Sequence, residues 1–140
     1  MIAISGEQSR ILLSIVGYEN PTSIDTDDAN WVTSEVEIAV GPFTGKYRAA
    51  MTTYDFDNFC LEVEALLNFS KPKAEFTTHE GWLNLHIEMT KQGGVIVSGS
   101  AAVHGLAEAT LAFTFPSDQS QLQQTLISLR WAIKQFPIKP

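Results

Sequence analysis

The chain has 140 residues, 44% of them hydrophobic and 18% charged, with a formal net charge of −7. That balance fits one folded domain over residues 1–140 and excludes a disordered chain. Scattered cations on an acidic chain exclude nucleic acid as a partner. No apolar run approaches the roughly 20 residues of a spanning helix, which excludes the membrane.

The opening MIAISGEQSR lacks a basic stretch followed by a long apolar one, so no secretory signal is expected and the cytoplasm is the expected location. Ile2 to Ile4 and Arg10 to Gly17 read as short strands. Glu19 to Asn30 (ENPTSIDTDDAN) is polar and acidic and contains a proline, and it reads as an exposed, mobile loop. Trp31 to Val40 alternates, with Val32, Ser34, Val36, Ile38 and Val40 on one face. After Gly41-Pro42 a second alternating run sets Phe43, Gly45, Tyr47, Ala49 and Met51 on one side. Pairing the runs as a hairpin puts Glu37 opposite Lys46, Glu35 opposite Arg48 and Val36 beside Tyr47, so charge and apolar patterns agree.

Thr53 then caps a helix whose apolar stripe is Phe56, Phe59, Cys60, Val63, Leu66 and Leu67, ending near Asn68. Lys73 to Thr78 reads as a strand. Trp82 to Thr90 alternates, and Gln92-Gly93-Gly94 turns the chain. Val95 to Val103 and Ala107 to Phe115 continue an antiparallel meander. Ser117 and Asp118 cap a last helix with a buried stripe of Leu122, Leu126, Leu129, Ile133 and Phe136, stopped by Pro137. The fold class is therefore α+β: a largely antiparallel sheet of about six to eight strands with two amphipathic helices on one face, in the order ββ-ββα-ββββα.

The search for chemistry finds no assembled centre, so the sequence reads as a binding protein and not an enzyme, with no cofactor and no metal. Cys60 has no disulfide partner. It sits in an apolar stripe beside Asp57, the opposite of the electropositive setting a reactive thiolate needs. His86 and Glu88 share one sheet face, and His104 could join them from the far end of the sheet. This polar face is the alternative reading, a metal- or small-molecule site, although no zinc motif accompanies it. Asp25, Asp27 and Asp28 start like a calcium loop, but Asn30 stands where glycine is required and Val36 where the last glutamate belongs. Glu62 and Glu64 point about 160° apart on their helix and do not converge.

Exposed groups say more. At 100° per residue Ile127 and Trp131 share the outer face of the last helix, and Tyr54, Leu61 and Ala65 the outer face of the first. Large apolar groups on an outer face are covered in one of three ways: by strands or the N-terminal segment of the same chain, by a partner, or by a second copy in a homodimer, the last making a homo-oligomeric structural protein the other alternative. Asp25, Asp27, Asp28, Ile127 and Trp131 are therefore the candidate partner-binding residues.

Several landmarks recur together: Asp28-Ala-Asn-Trp31-Val32 after an acidic loop, the long hairpin, Thr53 opening a helix, Glu80-Gly81-Trp82-Leu83, and a final helix closed by Phe136-Pro137. Over roughly residues 28 to 137 this order resembles the WapI-like immunity proteins and related small bacterial proteins. The resemblance implies a bacterial cytoplasmic protein that binds and blocks the C-terminal domain of a cognate polymorphic toxin, often a nuclease. It supplies no functional residues.

Overall fold

In the computed structural model, which describes residues 1–140, the first four strands are β1 (Ile2–Gly6), β2 (Ser9–Tyr18), β3 (Trp31–Val40) and β4 (Phe43–Thr52). They form one antiparallel sheet in that order. The β3–β4 register is the one the sequence specifies, with Glu37 opposite Lys46, Glu35 opposite Arg48 and Val36 opposite Tyr47. Val32, Ser34, Val36 and Ile38 face the core. The closest ion pair in the hairpin is nevertheless diagonal, Lys46 Nζ to Glu35 at 3.3 Å. Strand twist brings such diagonal neighbours within reach of a long side chain. Phe43, expected on the inner face, is 61% exposed, because the Val40–Phe43 pair closes the hairpin beyond the covered part of the sheet. A bulge between Ile15 and Gly17 leaves Val16 without a partner and turned outward.

The second sheet holds β5 (Lys73–Phe76), β6 (Leu83–Met89), β7 (Val95–Val103) and β8 (Ala109–Ser117), again antiparallel and in chain order. The fold class is α+β as expected, and the eight strands reach the upper end of the expected number. They divide, however, into two four-stranded sheets instead of one. Gly99 fits this second meander tightly: a Cβ there would lie 2.0 Å from the Asn84 carbonyl oxygen.

Three helices complete the chain. The short α1 (Thr26–Ala29) occupies the segment read as a loop; α2 (Thr53–Leu67) and α3 (Gln119–Gln135) are the two expected. The α2 cap is Thr52, not Thr53. The Asp55 N–H donates to the Thr52 hydroxyl and the Thr52 N–H to the Asp55 carboxylate, a reciprocal capping box. Thr53 is drawn elsewhere, its hydroxyl donating to Asn30 Oδ1 at 2.7 Å. Asp118 caps α3 by accepting from the Gln121 N–H at 2.8 Å. Leu122, Leu126 and Leu129 are buried as expected, whereas Ile133 and Phe136 are half-buried.

The two long helices cross between the meanders. α2 follows β4 but packs on β5, and α3 follows β8 but packs on β1. Both also pack on each other, so one cluster of 28 buried residues runs through both sheets and both helices. Within it the rings of Phe56 and Phe59 lie 5.8 and 5.0 Å from that of Phe76. The sheets meet edge to edge where β1 reaches β8. The Glu7 N–H donates to the Pro116 carbonyl at 3.1 Å, and the hydroxyls of Ser117 and Thr125 donate to the carbonyls of Ser5 and Ala3 at 2.5 and 2.7 Å. An edge strand that would otherwise present bare backbone groups is thereby covered. A Cβ at Gly6 would lie 2.2 Å from the Pro116 carbonyl oxygen, so only glycine fits this seam.

Candidate partner-binding surface

The acidic segment is fixed in place. Asp25 is the N-cap of α1, its carboxylate accepting from the Asp27 and Asp28 N–H groups at 2.9 and 3.2 Å. Below it, Asn30 is fully buried and its side-chain amide is saturated. Nδ2 donates to the carbonyls of Thr26 (2.7 Å) and Lys139 (3.0 Å), and Oδ1 accepts from the Thr53 hydroxyl and the Lys139 N–H (2.8 Å). Lys139 also lies over the Tyr18 ring, 4.0 Å from its centroid, and its ammonium donates to the Pro21 carbonyl. Tyr18 in turn donates its hydroxyl to the Pro137 carbonyl at 2.7 Å.

The three aspartates therefore differ. Asp25 is committed to the backbone, while Asp27 and Asp28 are exposed and carry no ion pair, on a helical turn held from beneath. Burying an unpaired amide is costly, and Asn30 escapes that cost only because four partners converge on it.

Ile127 and Trp131 lie outside the core as expected, 50% and 66% exposed, and share a groove with Arg130 and Lys134. Leu61 on α2 is 61% exposed, and Tyr54 and Ala65 are half-buried. Between the two helices a second groove is lined by Asp57, Cys60, Leu61, Glu64, Arg130, Ile133 and Lys134. Arg130 bridges to Glu64 across it at 3.1 Å. Cys60 forms part of this groove yet is only 8% exposed, and burial pushes its thiol pKa up, with Arg130 offsetting this in part. It is a packing residue. The five candidate residues thus fall into two groups, an acidic turn at α1 and an apolar pair on α3, linked by the tail after Phe136.

Charge separates along the chain in the same way. Residues 1–118 carry all sixteen acidic groups and six of the nine cationic ones; residues 119–140 carry the other three cations and no acid. α2 has Asp55, Asp57, Glu62 and Glu64 and no Lys or Arg, and α3 has Arg130 and Lys134 and no Asp or Glu. Summed along the helices, this gives two faces of opposite sign side by side.

The polar sheet face does not assemble as the alternative reading requires. His86 and Glu88 do approach, at 3.8 Å, and Glu75 on β5 joins them at 3.3 Å. The two carboxylates flank opposite nitrogens of one imidazole, so they point past each other instead of converging on a shared ligand. His104 lies at the far end of the sheet, its ring 4.6 Å from that of Trp82 and its Nε2 3.0 Å from the Glu80 carbonyl oxygen. No group of three or more His, Cys, Asp or Glu side chains is arranged to hold a metal ion. At the same end Tyr47 donates to the Trp82 carbonyl at 2.6 Å, and burial lifts its phenol pKa to about 12.

Sequence reasoning missed Asn30 as an organising residue and Glu75 as the neighbour of His86. The first had a signal: an asparagine between an acidic turn and a tryptophan-led strand is a natural place for a side chain that caps backbone. The second needed the β5–β6 register, which sets Glu75 opposite His86. No helix is long and apolar enough to cross a membrane.

Compared with known families, the chain matches the model of the immunity protein WapI-like family over residues 1–137. No curated protein and no solved structure matches it.

Proposed function

The chain belongs to the immunity protein WapI-like family, and on that premise we propose that it neutralises a cognate polymorphic toxin in the bacterial cytoplasm. It does so by binding the toxin's C-terminal domain one to one, without turnover. The carrying observation is the charge distribution: an acidic body over residues 1–118, with Asp27 and Asp28 exposed and unpaired on a turn anchored by Asn30.

A nuclease domain is the toxin this surface suits. Nucleases hold their substrate by a cationic surface, and an acidic inhibitor approaching it gains in association rate. Anchoring matters because a carboxylate already fixed in position loses little conformational freedom on binding. In this reading Asp25 acts through the backbone, and Asp27 and Asp28 meet the toxin.

Co-expression with the C-terminal domain of a cognate toxin tests the proposal directly. A one-to-one complex that co-purifies and protects cells is the expected result, with an association rate that falls steeply from low to high salt. Asp27→Asn with Asp28→Asn should slow association and leave the melting temperature unchanged. Failure to co-purify, or an association rate indifferent to salt, overturns the reading or its electrostatic part respectively.

A further inference from the structure

We propose that two copies of this chain associate through the outer faces of α2 and α3, forming a symmetric dimer around a four-helix bundle. The occupant of the exposed Leu61–Ile127–Trp131 face is a second copy of the chain, and the charge pattern fixes how it sits.

The two helices run antiparallel. Glu64 meets Arg130, and Asp57 and Lys134 line the same groove, so residue number rises along one helix as it falls along the other. Beside their buried stripes both carry a second one: Tyr54, Leu61 and Ala65 on α2, Ile127 and Trp131 on α3. Helices of 15 and 17 residues are about 22 and 25 Å long and pack about 10 Å apart. Such a face can bury on the order of 1,000 Å² across two copies, the lower bound for a specific interface.

A two-fold axis can lie across the helices or along them. Laid across, it stacks α2 on α2 and α3 on α3. Asp57 and Glu64 would then face their own kind, and Arg130 and Lys134 theirs, at a cost that like charges impose across an interface. Laid along the helices, it stacks α2 of one copy on α3 of the other at the same level. Every neighbouring pair in the bundle is then antiparallel, Leu61 covers Trp131, and Asp57 reaches the partner's Lys134. Neither Asp57 nor Lys134 has an ion pair within its own chain. The second arrangement satisfies charge and apolar pattern together.

This surface sets Arg130 and Lys134 of α3 beside the acids of α2, whereas the α1 turn presents acid alone and suits the cationic toxin surface proposed above better. The two assignments are independent and are tested separately.

Sedimentation equilibrium of the intact chain between about 1 and 100 µM should show a dimer. Trp131→Ala should raise the dissociation constant about tenfold or more. Asp57→Lys and Lys134→Asp should each weaken the dimer, and the double variant should regain most of the loss, with unchanged circular dichroism throughout. The charge variants, at half-buried Asp57 and exposed Lys134, keep the test valid if Trp131→Ala fails to fold. A monomer at every concentration overturns the proposal, as does a dimer indifferent to all three substitutions. A double variant no tighter than either single one overturns the axis along the helices. A monomeric wild type that loses toxin binding on Trp131→Ala overturns it by assigning the face to the toxin.

Discussion

The side-chain amide of Asn30 pairs with both backbone groups of Lys139, Nδ2 donating to its carbonyl at 3.0 Å and Oδ1 accepting its N–H at 2.8 Å. A carboxamide here does what a neighbouring strand would do for the tail, and the same oxygen holds Thr53 at the start of α2. Asn30→Ala leaves the Thr53 hydroxyl and the Lys139 N–H without an acceptor. We expect a loss of about 2–4 kcal/mol in denaturant unfolding. Asn30→Asp keeps the acceptor and, while protonated, one O–H donor, so it should fall between alanine and wild type at acid pH; ionised, it sets a charge against the Thr26 and Lys139 carbonyls and should approach alanine near neutrality.

Gly6→Ala is expected to destabilise by about 1–3 kcal/mol or more, since the new methyl group meets the Pro116 carbonyl, a backbone atom with little room to yield. The readout is the midpoint of thermal unfolding. Gly17→Ala is the control, because nothing lies within 4 Å of a Cβ there. Equal losses at both positions would mean that the sheets do not meet at this seam.

Asp55 and Asp118 cap the two long helices and should respond to pH in opposite directions. Burial holds the Asp55 pKa above the usual aspartate value, with the Thr52 hydrogen bonds and His79 offsetting this in part. The folded state therefore binds the proton more tightly than the unfolded one. Its contribution is fully present below the unfolded pKa and is lost as pH rises through the folded value. The Asp118 pKa is lowered by the Ser120 hydroxyl and then by the Gln121 N–H. Its contribution is present above the unfolded pKa and is lost as pH falls through the folded value. Relative to wild type, Asp55→Asn should gain in stability as pH rises from about 4 to 7, and Asp118→Asn should lose as pH rises through the more acid region up to about 4. Urea midpoints at several pH values check both signs.

Ser34→Ala should be neutral or stabilise by up to about 1 kcal/mol. The Ser34 hydroxyl is fully buried on the inner face of β3 and has no hydrogen-bond partner. A marked loss of stability would show that the hydroxyl has a partner after all.

How far the sequence reached depended on the distance over which each feature is decided. The β3–β4 register was legible because two independent patterns, Glu35 and Glu37 against Lys46 and Arg48, and Val36 against Tyr47, lie within one hairpin and agree. The outward position of Trp131 and Ile127 followed from helical periodicity alone. The split into two sheets was not legible, because each meander alternates in the same way and nothing local says whether β5 pairs with an earlier strand. The choice of Thr52 over Thr53 as cap was decided by Asn30, 23 residues from Thr53. The fixing of the acidic turn was decided by Lys139, 109 residues away from Asn30. Side chains serving such remote partners look, in one dimension, like ordinary loop polar groups.

The crossed docking of the long helices has a consequence for assembly. A chain severed between Ser70 and Lys73 yields two pieces, each a meander that carries the lid for the other and lacks its own. Alone, each would expose the edge and the apolar underside that the missing helix shields. Mixed, they can restore both shields at once. The fold is thus a mutual exchange between its halves, each supplying the helix that shields the other.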